Sequence, residues 1–157
     1  MGMAEQQDKA FKVKPVAEQD AADWLAMRTA LWPGSAAGHG AEIEALLAEA
    51  GETINLIARG GDGVALGFVE AALRRDYVNG CKTSPVAFLE GIFVRPEARG
   101  KGVARLLVGA VEGWAREQGC SEFASDAPID NFVSADMHRA LGFLETQRVV
   151  FFRKVLG

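Results

Sequence analysis

Gly91-Ile92-Phe93-Val94-Arg95-Pro96-Glu97-Ala98-Arg99-Gly100-Lys101-Gly102-Val103-Ala104 runs from an apolar strand through a tight turn into a long helix. Upstream, Val86 to Val94 places Phe88, Glu90, Ile92 and Val94 at strand spacing, predicting that they share one face. Downstream, apolar residues recur at helical spacing from about Gly102 to Gln118, and Gly119 closes the helix. A helix start presents free N–H groups and a partial positive charge, which together suit a phosphate. Gly100 and Gly102 let the backbone approach an anion, and Arg99 and Lys101 add positive charge. A glycine-rich helix entry made for packing explains the same glycines equally well. Two familiar phosphate loops are excluded. A Walker loop needs a Ser or Thr after its GK pair, whereas Lys101 stands between two glycines. In a GxGxxG loop Arg105 occupies the third glycine's place.

Around this turn the chain reads as alternating strands followed by strand–helix–strand. Phe11 to Val16 alternates Phe11 and Val13 with Lys12 and Lys14, the period of a half-buried strand. Asp20 precedes a helix carrying Trp24, Met27 and Leu31 on one side, stopped by Pro33-Gly34. A second helix is predicted over 41–50 with Gly51 as its cap. Thr53 to Arg59 and Val64 to Arg74 flank Gly60-Gly61-Asp62-Gly63, a hairpin signal. Glu122 to Asp126 reads as a short strand, Asn131 to Leu141 as a helix, and Leu144 to Val155 as a last strand. This order describes a mixed α+β sheet.

At 157 residues the chain fits one domain, taken as 11–157 after a flexible N-terminal tail at 1–10. The polar start lacks the apolar core of a secretory signal, and no apolar run approaches the ~20 residues of a membrane span. Lysine and arginine number 17 against 21 acids, a net charge of −4, which disfavours a nucleic-acid partner and suits a cationic ligand. Cys81 and Cys120 stand far apart and outside any CxxC pattern, so neither a disulfide framework nor a metal site is expected, and a reducing cytoplasm is the simplest setting.

The turn resembles the acyl-CoA loop of the GNAT superfamily of N-acetyltransferases, Q/R-x-x-G-x-G/A, with Arg99, Gly102 and Ala104 in its three defined places. The resemblance continues at Asn131, His138 and Leu141-Gly142-Phe143, where the family often has Asn, a Tyr seven residues on, and a Leu-Gly-Phe ending. The order of elements also agrees from Phe11 to Val155. It implies a mostly antiparallel, splayed central sheet flanked by helices, with acetyl-CoA as cofactor. In that likeness the backbone of Ile92 and Val94 holds the thioester carbonyl and the pantetheine arm. The amides of Arg99, Gly100, Lys101, Gly102, Val103 and Ala104 hold the pyrophosphate, and Asn131 meets the pantetheine from the other side of the splay.

Further strings resemble one branch, the aminoglycoside 6′-N-acetyltransferases: Leu31-Trp32-Pro33, Asp76-Tyr77-Val78-Asn79-Gly80, Thr83-Ser84-Pro85-Val86, Phe88-Leu89-Glu90-Gly91-Ile92, Glu122-Phe123-Ala124-Ser125-Asp126-Ala127 and Met137-His138-Arg139-Ala140-Leu141-Gly142-Phe143. A polycationic aminoglycoside calls for carboxylates and flat side chains. Asp76, Glu90, Asp126, Asp130 and Asp136 are candidates, with Asp130 and Asp136 read as solvated surface acids. Glu90 sits among apolar residues just before the cofactor turn, where burying an idle carboxylate is costly. Trp32 is either a buried helix-end residue or a stacking surface for a sugar, and Tyr77 either packs on its own loop or contacts substrate across a dimer interface.

An alkylamine is mostly protonated near neutrality, its pKa being ~10.4 by analogy with lysine, so its proton must be taken before it attacks. Asp126 as base, with Glu90, is expected to hold the 6′-ammonium and relay that proton, the amine attacking the thioester directly. Backbone N–H at Ile92 then stabilises the oxyanion. His138 stands where the family has a tyrosine acid; histidine can donate near neutral pH, and it can equally be a packed helix residue. Phe151 fills another place where relatives carry tyrosine. The resemblance implies a homodimer, and Val149-Val150-Phe151-Phe152 fits an interface or the core. Alternative readings are a GNAT enzyme for another amine (a polyamine or a protein N-terminus), a non-catalytic acyl-CoA sensor, and a nucleotide-binding module.

Overall fold

The computed structural model describes residues 11–49 and 51–157; the expected tail at 1–10 lies outside them. Five strands, β1 (Phe11–Pro15), β2 (Thr53–Gly60), β3 (Ala65–Arg74), β4 (Val86–Val94) and β5 (Phe123–Ser125), form one sheet in sequence order. The first four are antiparallel and β5 is parallel to β4. Helices α1 (Ala21–Leu31) and α2 (Ala36–Ala48) cover one face. Helix α3 (Val103–Glu117), the crossover between β4 and β5, covers the other, and α4 (Phe132–Ala140) follows β5. The result is the expected α+β architecture.

Each face has its own core. Trp24, Met27 and Ile43 from α1 and α2 meet Ile57 and Phe68 of the sheet. On the reverse side Val103, Leu107 and Val111, one stripe of α3, meet Leu56, Val69, Ala71 and Leu89. Alternation along β2 and β3 sorts neighbouring residues such as Phe68 and Val69 between these cores.

Helix α2 begins at Ala36, five residues before its expected start. Gly38 and Gly40 dilute the helical pattern, but the Ser35 hydroxyl accepts the Gly38 amide at 3.0 Å and nucleates the first turn. It ends at Ala48 with Glu49 as the cap, so Gly51 lies beyond it and is not its capping residue.

The expected single face of β4 is broken. Glu70 pairs with Gly91 and Ala71 with Leu89, leaving Glu90 as an extra residue in a bulge. One inserted residue reverses the alternation beyond it. Phe88 packs with Val78 and Val86, whereas Ile92 and Val94 pack on the α3 core.

The predicted last strand does not form within this chain. Residues 144–157 carry no regular secondary structure, and Val150, Phe151 and Phe152 are 77%, 85% and 93% exposed, so they belong to no core. A strand needs a neighbour's amides and carbonyls, and the described sheet offers this segment none, ending at β5.

Asp20, just before α1, is 1% exposed and ties α1 to β2. Its carboxylate accepts the Ala17 amide at 2.9 Å and an Arg59 Nη2–H at 2.7 Å. Burial alone raises its pKa, but the bonds from Arg59 and Ala17 and the charges of Lys14 and Arg59 outweigh burial and hold it below the ordinary carboxylate value. A carboxyl depressed in the folded state stabilises the fold above its unfolded pKa of ~3.9, and that contribution is lost as pH falls through the lower folded value. Thermal unfolding followed from pH 5 downward is expected to show a shallower acid loss in D20N than in the parent; identical slopes refute this assignment.

Candidate active site

The site lies where β4 and β5 part. Their parallel pairing covers Ala87–Leu89 against Phe123–Ser125 and then stops, while β4 runs on to Val94. Among the described residues, the edge of β4 facing β5 has no strand partner beyond Leu89. This is a fork whose inner edge offers free backbone groups.

On the α3 side of the fork is the glycine turn. Gly100 and Gly102 have φ of +77° and +89°, and no atom crowds either position, so backbone conformation selects glycine there. Gly102 is the N-cap of α3. The first-turn amides have no partner within the helix, and the first helical bond here is from Leu106 to the Gly102 carbonyl. Arg99 donates from Nε to the Val94 carbonyl at 2.9 Å, which braces the turn against the end of β4. Free amides, a helix start, Arg99 and Lys101 form a donor set that fits a diphosphate. Asn131 caps α4, its Oδ1 accepting the Ser134 amide at 3.1 Å, which leaves its NH₂ uncommitted by that bond.

On the α1 side is a cavity of about 550 Å³, lined by Trp32, His39, Glu42, Glu70 and Glu90 among others. That size suits a drug-sized ligand. Gly91, beside Glu90, is glycine for steric reasons: a Cβ there would run into the Trp32 ring. Trp32 is thus half-buried against the bulge, both a helix-end residue and a wall of the cavity.

Beneath it runs a polar network that the pattern of the sequence did not single out. Glu70, 5% exposed on β3, accepts Trp24 Nε1–H at 3.0 Å, Arg28 Nε–H at 2.6 Å and Arg28 Nη2–H at 3.0 Å. Arg28 also donates from Nη1 to Glu42 at 2.6 Å, and its guanidinium lies 5.0 Å from the Trp32 ring centroid. Burial works against its charge, but the bonds to Glu70 and Glu42 outweigh burial and raise its pKa, so it stays a cation. His39 completes the network, with Nδ1 accepting from Arg28 Nη1 at 3.3 Å and Nε2–H donating to the Trp32 carbonyl at 3.3 Å. A guanidinium can only donate and a carbonyl only accept, so the tautomer follows. The signal available in the sequence was one acid, Glu70, inside the apolar run Phe68-Val69-Glu70-Ala71-Ala72.

Glu90 is not buried as expected. The bulge turns it outward, 37% exposed, and Arg74 Nη2 donates to both its oxygens at 3.0 and 3.1 Å. Since Ser125 lies beside Leu89, the next residues, Asp126 and Glu90, flank the mouth of the fork. The structure therefore gathers Trp32 and Glu90 in the cavity lining, while Asp126, exposed just after β5, is not part of that lining. It does not add Asp76 or Tyr77 to the cavity lining; both are exposed on the β3–β4 loop, Tyr77 at 75%. Asp130 and Asp136 are exposed on the surface, as read. His138 faces the fork from α4, with Nε2 at 2.7 Å from the Ser125 hydroxyl and Nδ1 at 2.7 Å from the Ser134 carbonyl.

The sequence profile described as the Acetyltransferase (GNAT) family matches residues 20–143. An aminoglycoside N(6′)-acetyltransferase type 1 of Serratia marcescens is 56% identical over 135 residues, covering 85% of this chain and 92% of that protein. A protein of the same description from Acinetobacter genomosp. 13 is 49% identical over 147 residues, 94% of this chain and all of the other. The crystal structure of the aminoglycoside 6′-N-acetyltransferase AAC(6′)-Ih from Acinetobacter baumannii superposes with a TM-score of 0.90 at 48% identity, covering 94% and 99% of the two chains. AAC(6′)-Iy, solved with the bisubstrate analogue CoA-S-monomethyl-acetylneamine, gives 0.86 at 45% identity, covering 93% and 99%. Forked sheet, glycine turn and relatives alike over almost the whole chain lead to one conclusion: this chain belongs to the GNAT acetyltransferase family, among the aminoglycoside N(6′)-acetyltransferases.

Proposed function

We propose that this chain transfers acetyl from acetyl-CoA to the 6′-amine of aminoglycoside antibiotics by direct attack, and so confers resistance. The observation that carries the reading is a forked sheet with a cavity walled by Trp32, Glu42, Glu70 and Glu90, with Arg28 among them, on its α1 side and a glycine turn at a helix start on its α3 side. A polycationic sugar fits the first, and a diphosphate fits the second. Acetyl-CoA supplies the activated acyl group. Arg99 to Ala104 hold its diphosphate, Ile92 and Val94 align its arm along the open edge of β4, and the Asn131 amide faces it from α4. Trp32 stacks on a sugar ring, and Glu90 and Asp126 hold the 6′-ammonium, Asp126 taking its proton at a carboxylate oxygen. Asp76 and Tyr77, outside the cavity, reach substrate bound at its rim.

Residues 11–157 act as one domain, in the cytoplasm, where thiols such as Cys81 and Cys120 stay reduced and where acetyl-CoA is made. Among the described residues no helix is long and apolar enough to cross a membrane. The exposed apolar run Val149–Phe152 supports a homodimer in which each copy's C-terminal segment packs on the other, since a patch of that kind is seldom left in water. Sedimentation is expected to give twice the 16.8 kDa chain mass, and F151D/F152D to halve it; a parent that sediments as one chain ends this assignment.

A thiol-release assay tests the activity. With acetyl-CoA, kanamycin A should turn over while a 6′-hydroxy analogue, spermidine and a peptide N-terminus should not. Equal rates on the 6′-hydroxy analogue would remove the regiochemical claim, and turnover of spermidine or peptide alone would transfer the enzyme to another amine.

A further inference from the structure

Ser125, the last residue of β5, forms a dyad with His138 that the proposed chemistry has not used. Its Oγ lies 2.7 Å from His138 Nε2, and His138 Nδ1 lies 2.7 Å from the Ser134 carbonyl, with the Ser134 hydroxyl at 3.3 Å. A carbonyl only accepts, so Nδ1 carries a proton in either state of the ring. Nε2 is then the one nitrogen free to gain or lose a proton, and it faces the serine hydroxyl. Phe143 holds the ring edge-on at 5.3 Å, and Phe143 in turn packs on Phe123 two residues before Ser125. The side chain is therefore oriented by three contacts, which a helix histidine filling space does not require. A nucleophile-like hydroxyl, a base and an orienting acceptor in series are the parts of a proton relay.

The dyad stands at the vertex of the fork. Ser125 pairs with Leu89, the last residue of β4 before the strands separate. Strand alternation puts Ser125 on the side of Phe123 and the α3 core, and so on the side of the glycine turn rather than the Trp32 cavity. Asp126 and Glu90 flank the mouth from which the amine enters; Ser125 lies behind them, toward the turn.

We propose that Ser125 is a catalytic residue that protonates the departing sulfur, with His138 as its proton reservoir; this rests on the acetyltransferase reading above. Transfer to an alkylammonium removes two protons from nitrogen and places one on sulfur. As the carbon–nitrogen bond forms and the carbon–sulfur bond breaks, the Ser125 Oγ–H proton passes to sulfur and the Nε2–H proton of protonated His138 passes to Oγ. His138, half-exposed, regains its Nε2 proton from water, into which Asp126 and Glu90 discharge the two amine protons. One proton is released per turnover. The serine takes the place of the family's tyrosine hydroxyl, one side chain closer to the sheet.

The test has two arms. In the free protein at pH 8, ring-nitrogen NMR should show His138 as the Nδ1–H tautomer, with the Nε2 resonance moved in S125A. In single-turnover kinetics with kanamycin A, S125A and H138Q should each lose about 100-fold, S125T should stay within about fivefold, and all three should bind CoA within twofold of the parent by calorimetry. H138Q can keep both hydrogen bonds, so equal thermal midpoints separate chemistry from folding. An Nε2–H tautomer, or S125A at the parent's rate, overturns the relay while leaving the acetyltransferase intact. A parent that acetylates no amine removes the functional reading and the relay with it.

Discussion

Arg28→Met is expected to lower the free energy of unfolding by about 3–5 kcal/mol, the cost of removing one partner of a buried ion pair. Glu70, with a side chain 6% exposed, then keeps a single donor, the Trp24 indole at 3.0 Å, against three in the parent. For a chain of this length that corresponds to a fall in midpoint on the order of 10 °C. The companion R28M/E70L should recover much of the loss, because a buried pair replaced by apolar groups of like volume is often neutral. Denaturant titrations of the three proteins decide it: R28M within 1 kcal/mol of the parent shows that the network contributes little. The double variant separates stability from function. If it folds well yet binds aminoglycoside poorly, the network's value lies in presenting Trp32 and Glu42 to the cavity, since Arg28 bonds Glu42 and lies over the Trp32 ring.

The largest loss of activity is expected from Asp126→Asn, with Glu90→Gln beside it. Each should cut kcat about 100-fold, the lower range for a positioned acid or base, while CoA affinity is unchanged. In the proposed relay the two carboxylates serve one ammonium, so the double variant should fall short of the product of the single effects. Glu90→Gln also removes the charge and one of the two acceptors that Arg74 meets and leaves an uncompensated cation near the entry, which should raise KM for a polycation more than Asp126→Asn does. Full turnover in both single variants would falsify the assignment of the proton relay to these residues.

The fork was only partly legible. Gly100, Gly102 and the change from strand to helix period are local properties, and the glycine turn into α3 followed from them. Glu90 shows the limit of such reading. Its alternation with Phe88 and Ile92 predicted burial, but a bulge depends on how β4 registers against β3, and one slipped pair moved Glu90 to the surface. Arg28, 42 positions from Glu70, was invisible to any pattern within α1, since only packing of the helix on the sheet joins them. Ser35 and Gly38 hid the start of α2, because a cap contributes through one hydrogen bond and not through apolar period. Leu144 to Val155 reads as a strand by composition, yet a strand exists only with a partner, and among the described residues this segment has none.

What the amino-acid order determined by itself are the features set by neighbours along the chain: strand and helix periods, left-handed glycines at the turn, and the motifs that mark a GNAT acetyltransferase. Tertiary structure alone decided which carboxylate is buried, where the bulge falls, and that His138 Nε2 meets Ser125. Those depend on register and on contacts between residues far apart in sequence, where a shift of one residue exchanges the faces of a sheet.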